Sequence, residues 1–257
     1  MMSKTMLLYV RFLFGFMLFA FCFQSMPVQI HAQEDLNVVS DWLHYTDVEN
    51  SLYHHLAEQA YDYLEQRQLT IETLNTEADW QRYQKQIRET FQTIIGPFPE
   101  KTPLNPKITG TLDRPDFTVE KIVFESQPGF YVTAVMMLPK NRSAKSPAVI
   151  YTSGHTENGF RSDTYQTVMI NLVKKGFIIF AFDPVGQGER LQYFDEESGQ
   201  SEIGGATSEH SYAGAQCFLT GSSLAKYMIW DGIRSVDYLL TRDEVDPDRI
   251  GITGRSG

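Results

Sequence analysis

Short apolar segments alternate with amphipathic segments along the second half of the chain. Residues 148–151, 177–182 and 250–253 are apolar runs of strand length. Residues 164–175 and 223–240 lie between them and carry apolar side chains at helical spacing. The run 177–182 is apolar at every position, which is typical of a strand covered on both faces. This alternation predicts an α/β fold with a doubly wound, mostly parallel sheet.

An antiparallel hairpin is expected to open this sheet. Residues 117–124 alternate apolar and polar positions, Pro128-Gly129 supplies a turn, and residues 130–138 form the second strand. The preceding segment, residues 97–116, contains five prolines and few apolar residues. We interpret it as an extended connector. The predicted α/β region then comprises residues 117–257.

The region before the connector, residues 33–96, is predicted to be helical. Apolar side chains recur at helical spacing over residues 47–68 and again over residues 80–94, and Gly96-Pro97 ends the second helix. We interpret the aromatic stripes of both helices as packing surfaces. The two helices would form a preamble to the sheet.

The first 32 residues have the pattern of a secretory signal. Lys4 and Arg11 are their only charged residues, residues 7–23 are strongly apolar, and Ala32 offers a small side chain for cleavage. We therefore expect a secreted or periplasmic protein that begins near Gln33. The alternative is that the apolar run is retained as a membrane anchor, because it is about as long as the shortest spanning helices.

Charge and cysteine content exclude some classes of protein. The formal net charge is −10, and removal of residues 1–32 would make it −12 because Lys4 and Arg11 leave without any acid. Such an acidic protein is a poor candidate for binding nucleic acid. Of the two cysteines, Cys22 would leave with the signal, so Cys217 would have no intramolecular partner and no disulfide framework is expected.

Two loops follow strands at the edge where such sheets gather their ligands. Residues 152–159 contain glycines at both ends of a polar stretch, and in this kind of fold the loop supplies a backbone N–H group to an oxyanion hole. The alternative is an ordinary turn in which His155 hydrogen-bonds the loop. In the second loop, residues 183–190, we expect Asp183 to accept backbone N–H groups. Glu189 and Arg190 either pair with each other or contact a substrate.

The last residues carry the most specific motif of the sequence. Residues 250–253 are followed by Gly254, Arg255, Ser256 and Gly257, which is four of the five positions of a Gly-x-Ser-x-Gly nucleophile elbow. The elbow needs small residues around the serine because side chains there would collide with neighbouring backbone. Arg255 is a further candidate for substrate contact. The alternative is an ordinary turn at the end of a strand.

These motifs together resemble the acetyl xylan esterase-like branch of the α/β-hydrolases, which is similar to exported bacterial deacetylases of cephalosporin C and xylan. The resemblance begins near Pro97 and is carried by five stretches: residues 100–106, 124–133, 154–159, 183–190 and 251–257. It implies that Ser256 is the nucleophile and that the backbone N–H of Gly257 donates to the oxyanion. The second oxyanion donor would come from the loop around His155 and Thr156.

The same resemblance places the acid and the histidine of the catalytic triad after the elbow, where this sequence has no residues. We therefore expect an incomplete chain that is inactive by itself, because a serine without a base is a weak nucleophile. The expected activity of the intact enzyme is serine-dependent hydrolysis of a carboxylic ester, with a small-molecule or polysaccharide ester as substrate and no metal or cofactor. The alternatives are a glucuronoyl esterase, a serine peptidase of the same fold, or a non-catalytic binding protein.

Overall fold

A computed structural model describes residues 50–256. The chain divides into two compact units, residues 1–73 and residues 74–257. The predicted signal, residues 1–32, lies outside the described residues, as does the start of the first predicted helix. Between residues 50 and 256, no helix is both long enough and apolar enough to cross a membrane.

In the first unit, the described residues form a single long helix, α1, Ser51–Glu72. The helix confirms the predicted secondary structure, although it ends four residues later than the predicted residue 68. None of its residues is buried. Most of its apolar side chains, among them Leu52 and Tyr63, are exposed, and the interpretation of this stripe as a packing surface stays a prediction.

The second unit begins with helix α2, Glu77–Ile95. Thr76 caps it reciprocally with Asp79: the Thr76 hydroxyl accepts the Asp79 N–H, and the Asp79 carboxylate accepts the Thr76 N–H. Gly96 ends the helix with a φ of +82°, which a side chain would disfavour. Ile95 is the one buried residue of the helix, so the predicted packing stripe from Trp80 to Ile94 is largely exposed.

The strands of the second unit form one large sheet and one small hairpin. In chain order they are β1 Lys107–Asp113, β2 Phe117–Gln127, β3 Phe130–Pro139, β4 Ser146–Thr152, β5 Ile178–Phe182, β6 Phe194–Asp195, β7 Gln200–Ser201 and β8 Val245–Gly254. The large sheet has the order β1-β2-β3-β5-β4-β8. β1, β2, β3 and β5 pair antiparallel in turn, whereas β4 pairs parallel with both β5 and β8. The hairpin of β2 and β3 was predicted and is confirmed.

The structure corrects the interpretation of residues 97–116 as a connector throughout. Residues 107–113 form β1, the edge strand that pairs with β2. Six of its seven residues are exposed, so the strand buries no apolar face and shows no apolar alternation in the sequence. The prolines lie outside β1, where they do not interrupt its ladder.

Helices cover both faces of the sheet, as the alternation predicted. They are α3 Asp163–Lys174, α4 Ala206–Leu219 and α5 Leu224–Leu240, with a short 3-10 turn at Gly159–Arg161. α3 contributes Met169 and Val173 to the apolar cluster on one face, and α5 contributes Tyr238 and Leu239 to the cluster on the other. Full burial of one such aliphatic side chain stabilises the fold by about 1.5–3 kcal/mol. β5 is buried at every position, in agreement with its uninterrupted apolar sequence.

Candidate active site

The turn after β8 has an unusual backbone. Ser256 has a φ of +57°, a left-handed conformation that is uncommon for residues other than glycine. The Arg255 N–H donates to the Thr152 carbonyl at 3.3 Å, which ties the turn to the end of the neighbouring strand β4. A β-carbon at Gly254 would overlap the hydroxyl and the carbonyl oxygen of Thr152, so only glycine fits there. Ser256 is exposed at the edge of the sheet.

This geometry has the form of the predicted elbow as far as residue 256. Strain at a serine on a strand end is typical of a nucleophile that a tight turn lifts above the sheet. Gly257, the predicted oxyanion donor, lies outside the described residues. Its role stays a prediction.

The loop after β4 lies directly against this turn. A β-carbon at Gly154 would overlap the Arg255 carbonyl oxygen and would lie 2.8 Å from the Tyr165 hydroxyl and 3.0 Å from Ser256 Cβ. The structure therefore brings the loop of residues 152–159 and the predicted elbow together, with Tyr165 as a third neighbour that the sequence did not indicate. Within residues 50–256, nothing accepts a hydrogen bond from the backbone N–H of His155 or Thr156. Two unused donors thus lie in the loop beside Ser256.

The His155 ring is held by a second histidine. His155 Nε2 lies 2.8 Å from His210 Nδ1, and His210 Nε2 lies 2.7 Å from the carbonyl oxygen of Val185. Burial lowers the pKa of His210, and the neighbouring His155 acts in the same direction, although the Val185 carbonyl and Glu209 oppose this shift. Burial therefore favours the neutral form of His210, whereas the His155 side chain is exposed.

The loop after β5 is organised around Asp183, as predicted. This fully buried carboxylate accepts the backbone N–H groups of Phe160 at 3.4 Å and Glu189 at 3.2 Å. It also accepts bonds from the Thr133 hydroxyl and the Arg161 guanidinium, each at 3.0 Å. Burial raises the pKa of Asp183, and the positive charge of Arg161 opposes that shift.

Two glycines fit against this carboxylate. Gly159 and Gly188 have φ values of +56° and +59°, and a β-carbon on either would overlap a carboxylate oxygen of Asp183. Gln187 links the loop to the previous one, because its buried side chain donates to the Gly154 carbonyl at 3.1 Å. The Gly188 N–H donates to the Glu157 carbonyl, also at 3.1 Å. Asp183 and Gln187 therefore act as supports that position the loop next to Ser256.

Arg190 does not occupy the place that the sequence suggested. It is buried, and its Nη1 atom contacts Asp231 Oδ2 at 2.7 Å and the Asp183 carbonyl at 2.8 Å. The predicted pair of Glu189 and Arg190 is therefore wrong: Arg190 pairs with Asp231, and Glu189 faces Arg161 at 3.8 Å. Arg190 is buried in this ion pair, and its contact with a substrate stays a prediction.

Glu189 and Arg255 are both exposed, and their contact with a substrate stays a prediction. A polar cavity of about 370 Å³ lies beside the two loops, between residues 157–161 and the β6–β7 hairpin. Glu157, Arg161 and Ser201 are among the residues that line it. Within residues 50–256, no group of three or more His, Cys, Asp or Glu side chains is arranged to hold a metal ion.

The mixed sheet, the helices on both faces and the elbow after β8 define an α/β-hydrolase. The profile of the acetyl xylan esterase (AXE1) family matches residues 102–257, which is more than half of the chain. The chain therefore belongs to the acetyl xylan esterase family.

Individual relatives are distant. YtaP of Bacillus subtilis (strain 168), which is named as a hydrolase, is 24% identical over 182 residues, 66% of this chain and 55% of YtaP. A Bacteroides fragilis protein named as an acetyl xylan esterase superposes with a TM-score of 0.59 at 22% identity, covering 70% of this chain and 48% of that protein. The methylesterase BT1017 superposes with a TM-score of 0.50 at 20% identity, covering 72% of this chain and 38% of the methylesterase. These structural similarities support the fold, and the chain spans about half the length of the relatives it matches.

Proposed function

We propose that this protein is an exported, serine-dependent carboxylic ester hydrolase that removes acetyl groups from carbohydrate. Ser256 Oγ would attack the acyl carbon while its proton passes to a base, and the carbonyl electrons would move onto the oxygen. Collapse of this intermediate expels the sugar hydroxyl and leaves an acyl-enzyme, which water then hydrolyses to acetate and free serine. The N–H groups of His155, Thr156 and Gly257 are the proposed donors to the oxyanion.

The observation that carries this proposal is the strained conformation of Ser256 beside a loop with unused donors. A positive φ at a serine that follows a parallel strand is unfavourable by itself, so it persists only where surrounding structure enforces it. Here Gly254 and Gly154 allow the close contacts that enforce it. The position is also the one at which this family presents its nucleophile.

Carbohydrate is the substrate class that best fits the surroundings of the two loops. The cavity between residues 157–161 and the β6–β7 hairpin is lined mostly by polar groups and small residues, which suits a hydroxylated molecule better than a lipid ester. The match of residues 102–257 to the acetyl xylan esterase family supports an acetylated carbohydrate as the substrate. The acidic chain argues against polyanionic substrates.

The test is the replacement Ser256→Ala in the protein expressed from its complete gene. We expect kcat on acetylated xylo-oligosaccharides to fall by several orders of magnitude, because no acyl-enzyme can form. The melting temperature should hardly change, since the hydroxyl is exposed. Ser143→Ala is the matched control, because Ser143 is exposed and precedes β4, at the opposite end of that strand from the elbow. Normal turnover in Ser256→Ala would refute the assignment.

The source of the catalytic base limits what the 257 residues can do alone. Within residues 50–256, no side chain hydrogen-bonds the Ser256 hydroxyl, and the family resemblance places the base after the elbow. We therefore expect no hydrolysis of p-nitrophenyl acetate above buffer by residues 33–257 alone. Turnover that depends on Ser256 would contradict this expectation.

Export is proposed from the sequence of residues 1–32. A charged start, an apolar run and a small residue at Ala32 are typical of a cleaved secretory signal. N-terminal sequencing of protein recovered outside the cytoplasm should begin near Gln33. Recovery of intact Met1 on cytoplasmic material would overturn the proposal.

A further inference from the structure

We infer that His155 Nδ1 is a hydrogen-bond acceptor that selects substrates with a free hydroxyl next to the scissile ester. The inference rests on the proposed function for its substrate, and on the contacts of His155 and His210 for its chemistry. It assigns a role to the His155 side chain in addition to the role proposed for its backbone.

The first step is the position of the protons in the histidine pair. The Val185 carbonyl oxygen can only accept, so the hydrogen bond of 2.7 Å places a proton on His210 Nε2. A neutral imidazole carries a single N–H, and therefore His210 Nδ1 is an acceptor. The 2.8 Å contact then requires His155 Nε2 to donate its proton to His210. The remaining nitrogen of neutral His155, Nδ1, is unprotonated.

The second step is the availability of that nitrogen. No residue between positions 50 and 256 hydrogen-bonds His155 Nδ1, and the side chain is exposed. His155 directly follows Gly154, which contacts the Ser256 turn. The acceptor is thus on the loop that contacts the Ser256 turn.

The third step is the chemistry of selection. An unprotonated imidazole nitrogen accepts a bond from an alcohol, whereas an ether or a second ester at the same place has no proton to give. A partly acetylated sugar carries a free hydroxyl beside each isolated ester. We therefore expect preference for such sugars over fully substituted ones. The ratio of kcat/KM between the two kinds of sugar should correspond to the free energy of one neutral hydrogen bond, which is about threefold to tenfold.

His210 is a positioning residue in this scheme, because it acts through His155. It lies on α4, and its contact with Val185 connects that helix to the loop after β5. A glutamine at position 210 has an amide N–H₂ for the Val185 carbonyl and an amide oxygen for His155 Nε2–H. A phenylalanine has neither, although it keeps a ring of similar size.

The first experiment needs no catalytic activity. Nitrogen-15 NMR of histidine-labelled protein from the complete gene should show neutral His155 and His210 both protonated on Nε2. In His210→Phe, the preference of His155 for this tautomer should weaken. An Nδ1–H tautomer for His155 in the unaltered protein would overturn the inference.

The second experiment compares two acetylated xylosides, one with a free hydroxyl beside the ester and one with a methoxy group there. We expect wild type to favour the free hydroxyl about threefold to tenfold in kcat/KM. This ratio should fall to about one in His155→Phe and in His210→Phe, and His210→Gln should restore it. Equal ratios in wild type and His155→Phe would refute the role of His155. Hydrolysis of neither xyloside by wild type would refute the proposed function and the substrate part of this inference, and the NMR result would still decide the tautomer.

Discussion

A methyl group added at Gly154 should disable the site without touching Ser256 itself. In Gly154→Ala, the new β-carbon would overlap the carbonyl oxygen of Arg255 and lie 2.8 Å from the Tyr165 hydroxyl. Two of the three groups close to it, the Arg255 carbonyl oxygen and Ser256 Cβ, belong to the Ser256 turn, and the carbonyl oxygen is backbone that cannot rotate away. The structure must therefore move the loop and the turn apart.

The magnitude follows from the kind of collision. Forcing one extra methyl group into a packed place costs about 1–3 kcal/mol in free energy of unfolding. For a domain of this size, each kcal/mol lowers the melting temperature by about 2–4 °C. The displacement acts on catalysis more strongly, because misplacement of reacting groups by about 1 Å can lower the rate about a hundredfold.

The assay is thermal unfolding together with kcat on an acetylated xyloside, for the protein from the complete gene. Gly232→Ala is the matched control, because nothing lies within 4 Å of a β-carbon there and the site is inside helix α5. Alanine in a helix is more favourable than glycine by up to about 1 kcal/mol, so this control should be neutral or slightly stabilising. If Gly154→Ala matched the control in both stability and kcat, the close contact between loop and elbow would be refuted.

Three further predictions concern the supports of the site. Asp231→Ala should lower the free energy of unfolding in a denaturant titration by about 3–5 kcal/mol, because Arg190 stays buried without its partner; Asp246→Ala, which breaks an exposed pair, should leave it nearly unchanged. Because the pKa of His210 is below its ordinary 6.5, its contribution to stability is complete above that pH and is lost as the pH falls below it. The melting temperature should therefore fall less on acidification in His210→Gln than in wild type. Equal falls in both proteins would contradict the lowered pKa of His210. Tyr165→Phe should lower kcat/KM about threefold to tenfold while the melting temperature holds, since the ring stays packed, and a large drop in that temperature would show a structural role instead.

The sheet could be predicted from the sequence where its strands are buried. β5 is covered on both faces, so selection for apolar side chains acts at every position and the run is visible. β1 is an exposed edge strand, so no such constraint acts on it. The prolines near it favour a connector instead of a strand. An exposed strand therefore leaves no apolar pattern in the sequence by which it could be predicted.

The same reasoning explains what was missed in the site. The elbow and the Asp183 loop depend on glycines at fixed distances along the chain from Ser256 and Asp183. Such glycines form short motifs that can be recognised in the sequence. α4 buries Ala206, Glu209 and Gly214, a set without apolar periodicity, so the helix that carries His210 gave no signal. The partner of Arg190 is 41 residues away in the chain, and only the fold brings Asp231 to it.

The most direct test of the account is covalent labelling of the nucleophile. An alkyl fluorophosphonate reacts with an activated serine by loss of fluoride and leaves a stable phosphonyl ester. After treatment of the protein from the complete gene, peptide mass spectrometry should find a single adduct, on Ser256, with loss of ester hydrolysis in proportion to labelling. An adduct on a different residue, or full hydrolytic activity in protein labelled at Ser256, would contradict the assignment.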